Sequence, residues 1–353
     1  MDSRDATQEI LAQLLEAGRW GRALRLRGGD TRQWLGRAVS GEIMNLGAHR
    51  GLVDWQPSER VVTVRCGTPL VELERLLASE RQMLGFEPPR AGLGSTVGGA
   101  IATGLSGPRR PYAGAARDFV LGVECLDGRG QRLSFGGRVM KNVAGYDLPR
   151  LMCGAQGTLG ILLEVSLRLL PQPEYEATVE LPCEPLPAVE RMNRLAGEPL
   201  PVSAAAWHAG LLRLRLSGAE PAVRTAARRL GGDCSEDTAW WRGLRDQRLP
   251  FFREGRTLWR VSLPPAAPPL ALDAEELIDW GGAQRWLAGE LEPALVWQRA
   301  RALGGHASCW RSAESVECPF QPLEPGLQAL HRALKQAFDP HRILNPGRLY
   351  RDL

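Results

Sequence analysis

The sequence lacks closely spaced cysteines. Its seven cysteines, at positions 66, 125, 153, 183, 234, 309 and 318, include no C-x-x-C pair. Zinc sites and iron–sulfur clusters use cysteine ligands at such short spacings, so we expect this chain to build neither and to bind no metal. The odd number and the wide separation of the cysteines are typical of a reduced protein of the cytoplasm.

Long apolar runs are also missing. No stretch approaches eighteen uninterrupted apolar residues, and the first ten residues, MDSRDATQEI, contain no apolar signal-peptide core. The sequence therefore predicts no direct membrane span and a cytoplasmic location, or one at the inner face of the membrane through a complex. A net charge of +4 over 353 residues, without a concentrated basic face, argues against nucleic acid as a partner.

One long segment has no acidic residue. Residues 88–117 contain no Asp or Glu but four arginines, and seven glycines lie between Gly92 and Gly114. Such a segment is electropositive and can turn several backbone N–H groups toward a diphosphate. Residues 27–31, with the sequence RGGDT, form a second loop of this kind, and two loops indicate a ligand longer than a mononucleotide. The alternative is that the glycines only form tight turns and the arginines a solvated surface.

Neither common nucleotide-binding motif is present. The run from Gly92 to Gly98 has three residues before its third glycine, where the G-x-G-x-x-G motif has two. No glycine is followed by Lys and then Ser or Thr, which excludes a Walker A loop. The apolar residues of this segment are too interrupted for an ordinary helix or strand, so the sequence predicts backbone that approaches its ligand closely.

Short strand patterns and helical patterns alternate along the chain and predict an α+β fold without internal repeats. Pro171 and Pro173 follow a long apolar strand and mark a domain boundary. We predict a first α+β domain at 1–171, a smaller α+β cap at 172–325, and a C-terminal helix and turn at 326–353. The first helix is expected to begin with a capping box and to end at Gly18.

Five motifs in a fixed order carry a family resemblance. They are RGGDT at 27–31, TVGGAIAT at 96–103, KNVAGYDL at 141–148, GTLGI at 157–161 and NPGR at 345–348. Together they resemble the FAD-binding domain of the vanillyl-alcohol oxidase (PCMH-type) family, and GPRRP at 107–111 and FDPH at 338–341 are similar to flavin subunits of bacterial glycolate oxidases. The resemblance implies a two-subdomain PCMH-type domain, a ferredoxin-like cap and a C-terminal segment that returns to the first domain.

The resemblance also implies FAD as the cofactor. Its diphosphate would lie on the 27–31 loop and on the 96–107 segment, and its adenine end near residues 157–161. The residues that this implies for FAD binding are Arg27, Gly28, Gly29, Asp30, Thr31, Gly94, Thr96, Gly98, Gly99, Thr103, Gly104, Ser106, Gly107, Arg109, Lys141, Gly157, Gly160, Ile161 and Asn345. Non-covalent FAD is expected, because the first loop has Asp30 and Thr31 where covalent family members commonly carry a histidine.

The residues of catalysis are less clearly marked. The five histidines, at 49, 208, 306, 331 and 341, include no pair at metal-ligand spacing. Oxidation of a 2-hydroxy acid needs an arginine for the carboxylate and a base for the hydroxyl proton. Arginines are abundant, whereas the candidates near the flavin ring are only Lys141, Tyr146 and His306.

The resemblance implies a FAD-binding subunit of a glycolate oxidase complex that oxidises glycolate to glyoxylate. Such a subunit would act in flavin electron transfer beside a catalytic FAD subunit and an iron–sulfur subunit. Two alternatives stay open: a self-sufficient FAD-dependent 2-hydroxy-acid dehydrogenase, and a structural subunit that keeps the flavin fold without a redox role.

Overall fold

The computed structural model describes residues 2–137, 147–312 and 318–353. The chain forms two compact units that each combine helices with a sheet. The first contains Met1–Ser106, Gly114–Gln172 and Pro322–Leu353, and the second contains Gly107–Ala113 and Pro173–Gln321. The predicted α+β fold class is confirmed.

In chain order, the described helices are α1 (Thr7–Trp20), α2 (Leu70–Ala78), α3 (Val97–Thr103), α4 (Arg110–Ala113), α5 (Ala116–Phe119), α6 (Leu148–Met152), α7 (Pro185–Ala196), α8 (Glu220–Leu230), α9 (Ala239–Arg245), α10 (Pro293–Ala302) and α11 (Pro325–Phe338). The described strands are β1 (Leu24–Arg27), β2 (Glu42–Asn45), β3 (Leu52–Gln56), β4 (Val61–Arg65), β5 (Gln82–Met83), β6 (Val120–Leu126), β7 (Arg132–Gly136), β8 (Ile161–Arg168), β9 (Leu170–Pro171), β10 (Tyr175–Pro182), β11 (Val202–His208), β12 (Leu211–Gly218), β13 (Asp233–Ser235), β14 (Leu258–Ser262), β15 (Glu275–Asp279), β16 (Gln284–Ala288) and β17 (His306–Arg311). Two short 3-10 turns lie at Pro250–Phe252 and Trp280–Gly282.

The first unit is organised around a five-stranded antiparallel sheet in the order β3-β4-β8-β6-β7. A separate parallel pair, β1 and β2, lies beside α1. Ile10, Leu14 and Ala17 repeat at helical spacing and bury one face of α1, in a cluster that includes Leu24 of β1 and Leu344. This cluster fixes β1, whose end leads into the first glycine loop.

Both ends of α1 differ from the prediction: its N-cap is Ala6, with no side-chain hydrogen bond and thus no capping box, and its end lies beyond Gly18. The helix continues through Gly18 and stops at Trp20, and Gly21 takes the left-handed conformation with φ +61°. A glycine at this position closes a helix without the strain that a Cβ would cause. The sequence has a glycine at both positions and does not show which of them adopts a positive φ. In the structure it is Gly21.

The C-terminal residues lie alongside β1. The N–H of Leu24 donates to the carbonyl of Ile343 at 2.7 Å, and the N–H of Asn345 donates to the carbonyl of Leu24 at 3.0 Å. Residues more than 300 positions apart in sequence therefore meet at the strand that precedes the 27–31 loop.

The glycine-rich segment contains a regular helix, so the expectation of interrupted backbone there was wrong. α3 runs through Gly98 and Gly99 and ends at Gly104, which has φ +62°. A Cβ at Gly98 would lie only 2.6 Å from the Cβ of Cys66. Close packing of α3 against Cys66 thus explains Gly98. The low helix propensity of glycine does not prevent the helix from forming here.

The second unit contains an eight-stranded antiparallel sheet in the order β13-β10-β12-β11-β15-β16-β14-β17. Its first half, β10-α7-β11-β12-α8-β13, is a split β-α-β unit in which the fourth strand lies beside the first and the third beside the second. The strands β14 to β17 repeat that order, with a proline-rich segment at 264–269 where the first half has α7. Pairing of β11 with β15 joins the halves. The ferredoxin-like cap is therefore present, and its topology occurs twice.

Candidate functional site

A cleft in the first unit gathers most of the predicted cofactor residues. It contains about 980 Å³ of space, including the part open to solvent. Its walls come from the loop after β1, from α3, from the turn at 156–160 and from the C-terminal turn. Twelve predicted residues line it: Arg27, Gly28, Gly29, Asp30, Thr31, Thr96, Gly98, Gly99, Thr103, Gly157, Gly160 and Asn345.

The loop after β1 presents a row of backbone donors. The N–H groups of Gly28, Gly29, Asp30 and Thr31 form no hydrogen bond with any residue in the described part of the chain. Half-buried backbone donors normally find an acceptor. Four consecutive N–H groups without a protein acceptor fit an anion with several oxygen atoms, such as a diphosphate.

Gly28 and Gly29 let this loop pass close to the segment that leads into α3. A Cβ at Gly29 would lie 1.5 Å from the carbonyl oxygen of Gly94, and a Cβ at Gly28 would lie 2.7 Å from Oγ1 of Thr96. No side chain fits at either position. Gly94 does not line the cleft, but its backbone sets the distance between the two loops.

Asp30 holds the shape of the first loop. Its φ is +55°, a conformation that aspartate enters more readily than most residues. Its carboxylate lies 3.0 Å from Nη2 of Arg25 and 3.4 Å from Nε of Arg27. Asp30 therefore positions two guanidinium groups at the wall of the cleft.

The second wall contributes shape more than free donors. The N–H of Gly98 donates to the carbonyl of Cys66 at 2.7 Å, and the N–H of Gly99 donates to Oγ1 of Thr96 at 3.1 Å. The hydroxyl of Thr103 donates to the carbonyl of Gly99 at 2.8 Å. These polar groups already have protein partners, so α3 offers the ligand mainly a closely approaching backbone.

Asn345 joins two walls of the cleft. Its Oδ1 accepts a hydrogen bond from the N–H of Leu26 at 2.8 Å, and its Nδ2 donates to the carbonyl of Gln156 at 2.7 Å. A Cβ at Gly157 would lie 2.8 Å from this Nδ2, which explains the glycine. The asparagine thus positions the end of β1 relative to the 156–160 turn.

Arg348 adds positive charge next to these residues. Its guanidinium donates to Oε1 of Gln156 at 3.2 Å and to the carbonyls of Arg37 and Arg32 at 2.9 and 3.1 Å. Burial lowers the pKa of Arg348, and the neighbouring Arg25 lowers that pKa further. These acceptors are uncharged oxygen atoms, and the one carboxylate named as acting on Arg348 is Asp30, which opposes the shift.

A buried ion pair supports the turns that carry Gly157 and Asn345. Nζ of Lys335 lies 2.8 Å from Oδ2 of Asp339, and the two side chains are 1% and 0% exposed. The same Nζ donates to the carbonyls of Thr158 and Leu344 at 2.9 and 2.8 Å. Burial lowers the pKa of Lys335, whereas the carboxylate of Asp339 opposes that shift.

Three further predicted residues of the first unit lie outside the cleft lining. Ile161 is fully buried in the core cluster of α1 and β1. Gly104 ends α3, where a Cβ would lie 3.1 Å from Cα of Gly154. The hydroxyl of Ser106 accepts a hydrogen bond from the N–H of Ala116 at 2.9 Å. Each has a structural partner within the unit.

Other predicted residues belong to the second unit or fall outside the described residues. Gly107 and Arg109 lie in the second unit, where Arg109 pairs with Glu176 at 2.6 Å. His306 begins β17, opposite Ser262 of β14, and its pKa is lowered by burial and by the charge of Arg260. Lys141 and Tyr146 lie outside the described residues.

The cleft also contains residues that the sequence analysis did not select. They are Arg25, Leu26, Arg32, Gln33, Val39, Leu46, Cys66, Ala102, Gln156, Leu162 and Arg348. Arg25, Gln156 and Arg348 lie within or next to motifs already recognised, so adjacency to a motif was a usable signal. The same signal applies to Leu26, Ala102 and Leu162, whereas Val39, Leu46 and Cys66 carry none, since only folding brings them to the cleft.

The structure also shows what the described residues do not form. Among them, no group of three or more His, Cys, Asp or Glu side chains is arranged to hold a metal ion. No helix in the described ranges is long and apolar enough to cross a membrane.

The cleft fits a dinucleotide. The unpartnered N–H groups of residues 28–31 and the nearby guanidinium groups suit a diphosphate. Gly28, Gly29 and Gly157 border the cleft where added Cβ atoms would collide with backbone or side-chain atoms. These collisions explain the three glycines by packing within the protein, and the close approach of their backbone to a ligand stays a prediction.

Two family models match this chain. The FAD binding domain model matches residues 4–136, and the model of the C-terminal domain of FAD linked oxidases matches residues 322–349. The two matches include the loop after β1, α3 and the C-terminal turn, which form three walls of the cleft.

The chain is similar to several named proteins. It is 43% identical over 351 residues to the glycolate oxidase subunit GlcE of Escherichia coli K12, covering 99% of each chain. It is 27% identical to a D-lactate dehydrogenase of Archaeoglobus fulgidus, covering 98% of this chain and 90% of that protein. It is 36% identical to the glycolate oxidase subunit GlcD of Bacillus subtilis, covering 34% of this chain and 26% of that protein.

A solved structure of alkyldihydroxyacetonephosphate synthase has the same fold. Its TM-score is 0.68 at 16% identity, with 96% of this chain and 74% of that chain covered. At this identity the likeness concerns architecture alone.

Proposed function

Since this chain belongs to the family of FAD-linked oxidoreductases that includes the glycolate oxidase subunit GlcE, we propose that it is the corresponding FAD-carrying subunit of a glycolate oxidase complex. The complex would oxidise glycolate to glyoxylate, with a catalytic FAD subunit and an iron–sulfur subunit as partners. This chain would act in flavin electron transfer. The similarity over 99% of both chains is the observation that carries the proposal.

The local similarity to GlcD supports a partner with its own flavin domain. A protein named as another glycolate oxidase subunit is similar to this chain over only about a third of its length. Two subunits that are similar over only part of their length suit a division of substrate oxidation and electron transfer between them.

FAD supplies a reversible acceptor for a hydride or for electrons. The residues of this chain would bind and orient it. The N–H groups of Gly28 to Thr31 and the charges of Arg25, Arg27 and Arg348 would compensate its diphosphate. We expect FAD to bind non-covalently, so acid precipitation of the protein should release the flavin into solution.

A cytoplasmic location of the complex is part of the proposal. All seven cysteines are free thiols, and two of them are exposed, where an oxidising environment would readily oxidise them. Free thiols persist in the reducing cytoplasm.

A self-sufficient dehydrogenase for a small 2-hydroxy acid is the second candidate. The D-lactate dehydrogenase of Archaeoglobus fulgidus supports it, because the similarity extends over 98% of this chain and 90% of that protein. That candidate requires a base and a carboxylate site within this chain.

An anaerobic absorption spectrum of the isolated chain, before and after glycolate is added, distinguishes these functions. A flavin band that glycolate does not bleach until the partner subunits are added supports the electron-transfer subunit. Bleaching of the isolated chain supports the self-sufficient dehydrogenase and overturns the first proposal. No flavin band, even after incubation with FAD, supports a purely structural subunit.

The cleft itself is tested by Gly99→Trp. Gly99 lines the cleft, and an added Cβ has only Oγ1 of Thr96 nearby, at 3.2 Å. The indole should fill the ligand space and abolish flavin binding. Gly326→Trp is the control, because a Cβ there meets nothing within 4 Å. Normal flavin content in the folded Gly99→Trp protein would rule out this cleft.

A further inference from the structure

An unusual turn in the second unit places Trp280 at the end of β15. Trp280 has φ +54°, and Gly281 and Gly282 continue with φ +64° and +105°. A bulky residue rarely adopts this conformation, and such strain is concentrated at functional sites. Asp279 holds the turn, since its Oδ1 accepts a hydrogen bond from the N–H of Trp280 at 2.7 Å. The indole N–H donates to the carbonyl of Gly107 at 3.0 Å.

Two guanidinium groups lie on the indole ring of Trp280. Cζ of Arg110 is 4.3 Å and Cζ of Arg260 is 5.2 Å from the ring centroid. Arg260 also lies 5.3 Å from the ring centroid of Trp310. Aromatic faces attract each cation, and the buried carboxylate of Asp279 also acts on Arg260, so one carboxylate lies near two guanidinium groups.

Arg260 is oriented by a chain of hydrogen bonds. Its Nε donates to Oε1 of Gln284 at 2.6 Å, and Nε2 of Gln284 donates to Oδ2 of Asp279 at 3.2 Å. The two Nη groups of Arg260 form no hydrogen bond and no ion pair with any of the described residues. The guanidinium is thus fixed through one edge, while its other donors are left for a different partner.

The charge of Arg260 calls for an anion. Its side chain is half-buried, and burial together with Arg110 lowers its pKa to about 10, although the carboxylate of Asp279 opposes the shift. At neutral pH the group is still protonated. A half-buried cation beside another cation is stabilised by a bound anion, and the planar fork of arginine matches the two oxygen atoms of a carboxylate.

Two other arginines of the same sheet show the contrast. Arg213 lies 4.5 Å above the ring of Trp240, but its Nε pairs with Oε1 of Glu180 at 2.6 Å. Arg215 lies near Trp241 and donates to the side chain and backbone of Ser203. Arginine on tryptophan is therefore a recurrent packing arrangement here. Arg260 differs from Arg213 in making no ion pair at contact distance with a described carboxylate, although the charge of Asp279 acts on it.

We propose that Arg260 and Arg110, on the face of Trp280, form a binding site for a small monocarboxylate. The two Nη groups of Arg260 donate to the carboxylate oxygens, and Arg110 adds a second positive charge. The choice of glycolate as the anion rests on the proposed function. His306 lies within electrostatic reach of Arg260, and its lowered pKa keeps the imidazole mainly neutral at pH 7.

Calorimetric titration of the FAD-loaded full chain tests the site. Sodium glycolate, sodium acetate and inorganic phosphate are titrated at constant ionic strength. We expect both carboxylates to bind and Arg260→Gln to weaken their binding at least about tenfold, as loss of a charge-assisted hydrogen bond does. Arg213→Gln, which removes an arginine already paired, should change affinity by less than about twofold.

Three results would overturn the proposal: no saturable carboxylate binding by the unmodified chain, unchanged binding by Arg260→Gln, or tighter binding of phosphate than of carboxylates. A second measurement avoids any folding defect of the variant. Phenylglyoxal modifies arginines of the unaltered protein, and glycolate should slow modification of Arg260 several-fold without protecting Arg213. Equal modification of Arg260 with and without glycolate contradicts the site.

These binding measurements are independent of turnover. If the complex fails to oxidise glycolate but carboxylates bind at Arg260, the site stands and the proposed function falls. If the complex oxidises glycolate while Arg260→Gln binds carboxylates normally, the function stands and the site falls.

Discussion

One buried lysine stabilises the turns that form two walls of the cleft. Lys335 is one of two lysines in the sequence, and it binds Asp339 and two carbonyl groups, those of Thr158 and Leu344. Lys141, the other lysine, was the candidate from sequence because it belongs to a recognised motif. The burial of Lys335 could not be predicted, since an amphipathic helix does not show in its sequence which charged residue is buried. Only the fold shows that Lys335 of α11 points inward.

Replacing this lysine should be strongly destabilising. Lys335→Met leaves Asp339 buried without its cation, and loss of one partner of a buried pair lowers the free energy of unfolding by about 3–5 kcal/mol. Urea unfolding measures this. Arg332→Met on the same helix removes an exposed pair with Asp352 and should cost at most about 1 kcal/mol. Equal losses in the two variants would contradict the assigned role of Lys335.

His49 is a second buried polar residue of the first unit. It is 2% exposed, and its Nδ1 accepts a hydrogen bond from the N–H of Ala6 at 3.1 Å. Burial lowers the pKa of His49 below its ordinary value of 6.5, Arg65 acts in the same direction, and the carboxylates of Asp5 and Glu124 oppose the shift. The neutral imidazole is therefore the form that holds the start of α1.

Stability should consequently depend on pH below neutrality. The unfolded chain binds a proton at His49 near pH 6.5, whereas the folded protein does so only at lower pH, so this contribution is complete above pH 6.5 and is lost as pH falls toward the folded pKa. Urea unfolding between pH 5.5 and 8 measures the slope. His49→Gln keeps an acceptor for Ala6 and should flatten it; an unchanged slope would exclude His49 as the cause.

At the scale of elements, α3 shows why a helix can contain adjacent glycines. Apolar periodicity predicts helices from the face that they bury, but α3 packs its backbone directly against Cys66. Gly98 satisfies that packing constraint, and Thr96 supplies the cap. The motif was recognisable from sequence, whereas its secondary structure was not.

Two alanine substitutions separate packing from helix propensity. In Gly98→Ala, the new Cβ would lie 2.6 Å from Cβ of Cys66, so we expect a loss of stability of about 1–3 kcal/mol and weaker flavin binding. In Gly99→Ala, the nearest atom is the movable hydroxyl of Thr96 at 3.2 Å, and the alanine favours the helix by about 1 kcal/mol. Thermal unfolding and flavin titration compare them. A larger defect in Gly99→Ala would contradict the packing argument.

At the scale of the molecule, the second unit repeats one topology twice. The four strands of each half share an order, although α7 has a proline-rich counterpart in the second half. No sequence repeat announces this arrangement, because strand order is set by pairing rather than by identical residues. The halves nevertheless differ in chemistry, since Arg213 forms an ion pair with Glu180 whereas Arg260 forms none at contact distance with a described residue.

Thiol reactivity reports on the integrity of the whole chain. Cys234 and Cys318 are exposed, whereas Cys66 and Cys125 are buried. Burial raises the pKa of Cys125 to about 12, so little thiolate forms at pH 8. Titration with a thiol reagent, mapped by mass spectrometry, should find Cys234 and Cys318 labelled within minutes and Cys66 and Cys125 only in urea. Rapid native labelling of Cys125 would contradict this packing.

The sequence by itself determined the family, the cofactor and the fold class. The resemblance to FAD-binding proteins is confirmed by the family-model matches and by the 43% identical relative, because binding loops depend on short local patterns of glycine and charge. The assignment of individual cofactor residues stays a prediction, although the cleft gathers Gly28, Asp30 and Asn345.

Tertiary structure alone decided which residues face the cleft and which support it. Arg348 and Lys335 meet the loops only because the C-terminal segment lies along β1, more than 300 residues away in sequence. Likewise, Arg110 and Arg260 belong to separate segments and come together only on Trp280. Contacts across such distances depend on strand order and backbone turns, which local sequence patterns do not specify.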